Sequence, residues 1–189
     1  MSGPLGSGKT TIAETIFNKD KNVKQSISAT TRKPRPGEKD GKHYYFKTHD
    51  EFEKMIKTGE LLEHEYFLDN GYGTPKAHVQ KTLEDGKDIL LVIDQKGVDQ
   101  VVKYTGGMCV SIFLMPPSMM ELKRRLIKRG DTKEDIKRRM EKSEARMKDK
   151  EKFDYCVIND TLENAVKNVE SIIVSERLRV VGSKRGSVV

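Results

Sequence analysis

No stretch of this chain approaches the ~20 consecutive apolar residues that a bilayer-spanning helix needs, which argues against a membrane-embedded protein. No secretory signal precedes the first motif either. Only two cysteines occur, Cys109 and Cys156, each inside an apolar run. That scarcity rules out a disulfide framework, and the pair reads as buried free thiols in a reducing compartment. The four histidines, His43, His49, His64 and His78, fall on separate predicted elements with no metal-ligand spacing, so surface positions are expected. No Ser/His/Asp set, internal repeat or low-complexity tract is present. The reading is a cytoplasmic protein with no structural metal and no membrane contact.

What the chain does have is charge. Asp, Glu, Lys and Arg make up 34% of 189 residues, and 36 basic against 29 acidic side chains leave a net +7. A basic balance attracts polyanions, whether nucleotides, nucleic acid or acidic membranes, and does not distinguish them. The length suits one domain with appended subdomains. Helical spacing is predicted over 10–18, 50–58 (Asp50 as N-cap), 75–84, 118–129 (Ser118 as N-cap), 132–150 and 161–178. Strands are predicted over 25–29, 43–46, 61–68, 89–94, 110–115 and 155–159. The run at 89–94 is apolar on both faces, as a central parallel strand should be. Alternation of strands and helices predicts an α/β fold with a parallel sheet. Residues 182–189 are small, polar and basic, and read as a disordered tail.

Gly3-Pro4-Leu5-Gly6-Ser7-Gly8-Lys9-Thr10 fits the phosphate-loop pattern G-x-x-x-x-G-K-[ST] in full. Glycines allow several backbone N–H groups to converge on one phosphate. Lys9 supplies a mobile positive charge for the β- and γ-phosphates of ATP, and the Thr10 hydroxyl suits the Mg²⁺ that bridges them. The helix that follows, beginning near Thr10 and Thr11, turns its positive end to the same anion. A phosphate loop says only that a phosphate is bound.

The segment from Ser26 to Phe46 is more specific. Arg32 and Arg35 present two guanidinium forks from a proline-stiffened loop, which suits bidentate capture of a dianionic monophosphate, and Tyr44 adds a hydroxyl donor. On the residues alone, an exposed basic loop binding RNA backbone is equally open.

That segment follows S-x-S-x-T-T-R-x-P-R-x-G-E-x-x-G-x-x-Y-x-F, and here the chain resembles the guanylate kinase family, from Gly3 to the last helix. The resemblance implies a phosphate-loop sheet core flanked by helices (1–26, 88–126 and 144–181), an inserted GMP-binding subdomain (about 27–87) and a helical lid (about 127–143). It implies an ATP:GMP phosphotransferase serving purine nucleotide metabolism and GMP recycling, with ATP and Mg²⁺ as cofactors, no nucleic-acid partner, and dGMP acceptance open. Glu63 matches the residue that reads the guanine edge, Ser28 and Thr74 the hydroxyls that complete the base contacts, and Tyr72 a second phosphate-binding tyrosine. Asp94, at the end of an apolar strand, matches an acid near the acceptor and magnesium. Val92 and Lys96 depart from the family's acid-Ile-Asp-x-Gln-Gly and place one acidic contact in doubt. Arg125, Arg129 and Arg139 match arginines on and beside the lid, catalytic together with Lys9, while Asn159 matches a contact near the ATP adenine. Arg124, Lys128, Lys137 and Arg138 read as solvated surface. Family members carry a hydrophobic strand just before the phosphate loop, where this sequence has only Met1 and Ser2. The expectation is a natural start upstream or a truncated chain, and a loop without its anchoring strand.

Overall fold

A computed structural model describes residues 1–67 and 69–180; the predicted tail at 182–189 and the end of the predicted 61–68 strand lie outside the described residues. In chain order the elements are α1 (Lys9–Lys19), β1 (Val23–Gln25), β2 (Ala29–Thr30), β3 (Tyr45–Phe46), α2 (His49–Lys57), β4 (Leu61–Phe67), β5 (Asn70–Pro75) and α3 (Lys76–Glu84). There follow β6 (Asp88–Leu90), α4 (Gln95–Thr105), β7 (Ile112–Met115), α5 (Met119–Lys128), α6 (Lys133–Met147), β8 (Tyr155–Ile158) and α7 (Leu162–Arg177). The class is mixed α/β, as the alternating pattern predicts.

The parallel sheet is in two pieces, β1–β6 and β7–β8, each a parallel pair. Met1 and Ser2 form the rung between them. The Met1 amino group donates to the Leu91 carbonyl (2.7 Å) and the Ile93 N–H donates to the Met1 carbonyl (3.3 Å). Ser2 N–H donates to Ile112 O, and Leu114 N–H to Ser2 O, both at 2.8 Å. The loop at 3–10 is thus anchored by two residues. The predicted strand at 89–94 has its regular pairing, with β1, at Asp88–Leu90.

Three other expectations are corrected. The strand predicted at 25–29 is two strands in different sheets, because the chain crosses between them at 26–28. Thr48, not Asp50, caps α2: its side chain accepts from Glu51 N–H while the Glu51 carboxylate accepts from Thr48 N–H, a reciprocal capping box. The cysteines are free but not buried: Cys109 is half-buried and Cys156 exposed, since β8 turns alternate side chains outward and Cys156 falls on the outer set. Ser118 caps α5 as predicted, and Thr132 and Thr161 cap α6 and α7 through their side chains.

A second sheet, of order β3-β2-β5-β4, is mixed, with β4 and β5 antiparallel. The buried apolar residues fall into separate clusters. The largest joins α1 and α7 to the strands around Met1 (Ile12, Ile16, Leu114, Val166). Smaller ones lie under α2 (Phe52, Leu61), between β4, α3 and α4 (Leu62, Val79, Val101), and between α5 and α6 (Leu122, Leu126, Ile136).

Candidate functional site

The phosphate loop enters α1 through Gly8, whose left-handed φ of 96° is the helix N-cap conformation. A Cβ at this position would lie 2.3 Å from Asn159 Nδ2, so only glycine fits. Pro4 and Ser7 are buried, Gly3 is buried, Gly6 is half-buried, and Leu5, Thr10 and Thr11 are exposed. Lys9 Nζ donates to the carbonyls of Gly3 (2.8 Å) and Pro4 (2.9 Å), stapling the loop to its own side chain. Burial, and after it the Arg146 guanidinium, push the Lys9 ammonium down to about 8. Ser7 Oγ is buried with no hydrogen-bond partner among the described residues, a donor that a bound phosphate oxygen would satisfy. Asn159 lies buried behind the loop, its Nδ2 donating to Ser7 O at 2.7 Å.

The acceptor side is set by the β4–β5 register, which puts Glu63 opposite Thr74 and Glu65 opposite Tyr72. Alternation along both strands then places all four on one face. Glu63 is buried, and its Oε1 accepts from the Thr74 hydroxyl at 2.6 Å. Burial is the main cause holding the Glu63 carboxyl above the usual range; the Thr74 bond opposes it. Gly97, in the first turn of α4, backs onto the same carboxyl: a Cβ there would sit 2.8 Å from Glu63 Oε2. Gly97→Ala is therefore expected to raise the KM for GMP several-fold, roughly 1 kcal/mol of misplacement, with little change in kcat. Steady-state kinetics checks this, and an unchanged KM would count against the placement.

At the other end of this face, Arg32 lies over the Tyr44 ring (5.3 Å to its centroid). Tyr44 and Tyr72 meet edge to face at 6.3 Å. Glu38, a residue the motif contains but whose role the sequence does not disclose, accepts from Arg32 (2.8 Å) and from the Arg35 backbone N–H (2.7 Å). The Arg32 bond, then the Arg35 N–H, lower the Glu38 carboxyl to about 2. Arg35 is exposed, and Ser28 is half-buried next to β2. His64 and His78 are half-buried, not on the surface, because each lies where its strand or helix meets a neighbour.

Asp94 caps α4, its Oδ1 accepting from Gly97 N–H at 3.0 Å. Its other oxygen is 3.5 Å from Arg146, on α6. Burial first, and then the neighbouring Asp94 carboxyl, push Glu65 up to about 7. Neither Glu65 nor Arg146 stands out in the sequence, because both partners lie far away along the chain. Val92 is exposed.

Three lid arginines divide between two anchors. Arg125 donates to Glu121 (2.9 Å) and to the carbonyl of Asn159 (2.9 Å), beside the phosphate loop. Arg139 donates to Asp131 at 2.8 Å, and Arg129 lies 3.7 Å from the same carboxylate. Arg138 pairs with Asp135 on the outer surface, as its surface reading predicts. Among the described residues no cluster of three or more His, Cys, Asp or Glu could hold a metal alone. Thr10 and Asp94 each offer oxygen donors, and Asp94 is near enough to Lys9 to act on its charge. That set fits a hard cation carried in on phosphates.

A complete phosphate-loop pattern at the head of α1, with a strand face carrying Glu63, Thr74 and Tyr72 and arginines on α5 and α6, fits a nucleotide-dependent phosphotransferase of the phosphate-loop class. A guanylate kinase family model matches residues 1–176. A guanylate kinase of Lactococcus lactis is 46% identical over 182 residues, covering 95% of this chain and 88% of that protein. One from Caldanaerobacter subterraneus is 45% identical, with 95% and 87% covered. The crystal structure of guanylate kinase from Anaplasma phagocytophilum superposes with a TM-score of 0.74 at 32% identity, covering 92% of this chain and 86% of that one. The chain belongs to the guanylate kinase family, whose members phosphorylate GMP with ATP to give GDP. Among the described residues no helix is long and apolar enough to cross a membrane.

Proposed function

We propose that this chain binds MgATP on the loop 3–10 and GMP on the β4–β5 face, and transfers the γ-phosphoryl in line between them. The observation that carries the reading is the strand register that sets Glu63, Thr74 and Tyr72 on one face, with Arg32 and Tyr44 at its end. Glu63 accepts from the ring N–H and exocyclic amine of guanine, a donor pair adenine lacks; Thr74 fixes the carboxylate and Ser28 adds a hydroxyl. Arg32, Arg35, Tyr44 and Tyr72 hold the monophosphate, with Glu38 keeping Arg32 extended until it arrives. Lys9 leaves its two loop carbonyls for the β- and γ-phosphates. Asn159 holds the loop in shape through Ser7. Arg125, Arg129 and Arg139 neutralise charge on the transferred group when the lid closes. Thr10 and Asp94 would hold Mg²⁺ that arrives with ATP, and the ion would shield phosphate charge. In this reading residues 27–87 form the GMP-binding subdomain, 127–143 the lid, and the protein works in the cytoplasm.

ADP release measured with GMP, AMP, CMP and UMP tests the reading: turnover should require GMP. Equal turnover with AMP would overturn the base assignment. A pH series adds a second test. Lys9 titrates near 8 when no phosphate is present, so the KM for ATP should rise about fivefold between pH 8 and 9 as the ammonium is lost. Its folded-state pKa lies below the unfolded one, so the folded state holds fewer protons in that range. Stability of the ligand-free protein should accordingly rise with pH from about 8 toward 10.5. A flat KM across this range would remove Lys9 from the ATP site.

A further inference from the structure

We infer that Arg146, at the C-terminal end of α6, is a further catalytic residue that contacts the phosphoryl group during transfer. The inference rests on the reading just given. Among the described residues, the Arg146 guanidinium makes one ion pair, with Asp94 at 3.5 Å, and no hydrogen bond. Arg125 and Arg139 differ: each is tied down by hydrogen bonds of 2.8–2.9 Å to a carboxylate or carbonyl. An arginine offers five N–H donors, so one long ion pair leaves its fork available to an incoming anion.

Its place is as telling as its freedom. On one side stands Lys9, whose ammonium feels the Arg146 charge strongly enough to be depressed by it. On the other stands Asp94, 3.5 Å away, with Glu65 near enough to feel both charges. Lys9 belongs to the donor phosphates; Glu65 shares its face with Glu63 and Tyr72, the acceptor side. The guanidinium therefore occupies the ground between donor and acceptor, where three equatorial oxygens must be neutralised in the transition state. Lys9 and Arg146 repel, Asp94 offsets this only in part, and a phosphoryl group arriving there relieves the rest. Asp94 serves as the seat from which Arg146 reaches. The side chain is 40% exposed, which leaves it free to move the short distance required.

Arg146→Ala and Arg146→Gln test this, each checked for folding by circular dichroism, with Arg138→Ala as the surface control. Both Arg146 variants should lose roughly 10²-fold in kcat, keep the KM for GMP within about threefold, and regain part of the loss with added guanidinium ion. Arg138→Ala should match the wild type. If Arg146→Ala does not fold, Arg146→Gln, which keeps the bulk and a polar contact to Asp94, carries the test. A kcat within about threefold of wild type, a loss confined to the KM for GMP, or no rescue by guanidinium would overturn the assignment. Absence of GMP-dependent turnover in the wild type would instead overturn the wider reading, and the two failures are distinct.

Discussion

Lys9→Ala should lower kcat by about 10³-fold while leaving GMP binding intact. In the ligand-free protein the ammonium is satisfied by Gly3 O and Pro4 O, at 2.8 and 2.9 Å. Those carbonyls hold it at the loop, half-buried, in a field already made positive by Arg146. Burial and the neighbouring cation raise the free energy of the charged lysine before the nucleotide arrives. A phosphate chain then offers the ammonium more than the carbonyls do, and most as negative charge shifts during transfer. Removing the charge removes stabilisation that grows in the transition state, so the loss appears in kcat. Lys9→Arg should not rescue it, because a planar fork does not fit between two carbonyls of one tight loop. Stability should change by only about 1–2 kcal/mol, the scale of two lost hydrogen bonds, and the loop can rehydrate. Steady-state kinetics with calorimetry of GMP binding checks both halves. A kcat within about fivefold of wild type would remove Lys9 from the reaction.

The second large effect is at the base. Glu63→Gln should cost about 10²–10⁴ in kcat/KM for GMP, and much less for AMP. Glutamine keeps the volume and can still accept from Thr74 through its amide oxygen. Its other group is an NH₂, which would face the two guanine donors instead of accepting from them. Buried polar groups left without partners carry the larger part of that loss. The same substitution should stabilise the ligand-free protein. Glu63 is buried at 6% exposure with a hydroxyl as its partner, and burial raises its pKa. A raised carboxyl pKa means the folded state binds more protons than the unfolded one. That contribution favours folding at low pH and is lost as pH rises through the folded-state value. Burying this charge therefore costs the wild type stability at neutral pH, a cost that the neutral amide of the Glu63→Gln variant removes. A higher Tm with lower activity is the expected signature. The KM for GMP in wild type should also rise on acidification at a higher pH than an ordinary carboxylate would give. An unaltered GMP-over-AMP preference in Glu63→Gln would end the base-reading role.

The interval from Ser26 to Phe46 explains why the acceptor is legible in sequence. Its forks, prolines and tyrosine act locally, so Arg32, Glu38 and Arg35 find one another within six residues. The phosphate loop is local for the same reason: Lys9 bonds back five and six residues to Pro4 and Gly3. Helix caps at Ser118, Thr132 and Thr161 are equally readable, since a capping hydroxyl needs only the backbone three residues on. The α2 cap differs from its expected position because both Thr48 and Asp50 are good capping types, and only the Glu51 reciprocal bond selects Thr48.

Long-range pairs are decided by the tertiary structure alone. Asn159 reaches Ser7 across 152 residues and becomes a loop support. Glu65, Asp94 and Arg146 come from a strand, a helix cap and the end of a lid helix, and nothing in their spacing announces a shared site. The sheet shows the same division. The apolar run at 89–94 is visible, but its regular pairing, with β1, covers Asp88–Leu90, and Leu91 and Ile93 bond to Met1 instead. Cys156 lies in an apolar run yet faces solvent, since alternation along the strand, not local hydrophobicity, chooses the face. Sequence by itself determined the phosphate-loop pattern, the local contacts of the 26–46 segment and the α/β class, where geometry follows from neighbours along the chain. Folding decided which charges meet between the two nucleotides, because those contacts exist only when distant segments pack.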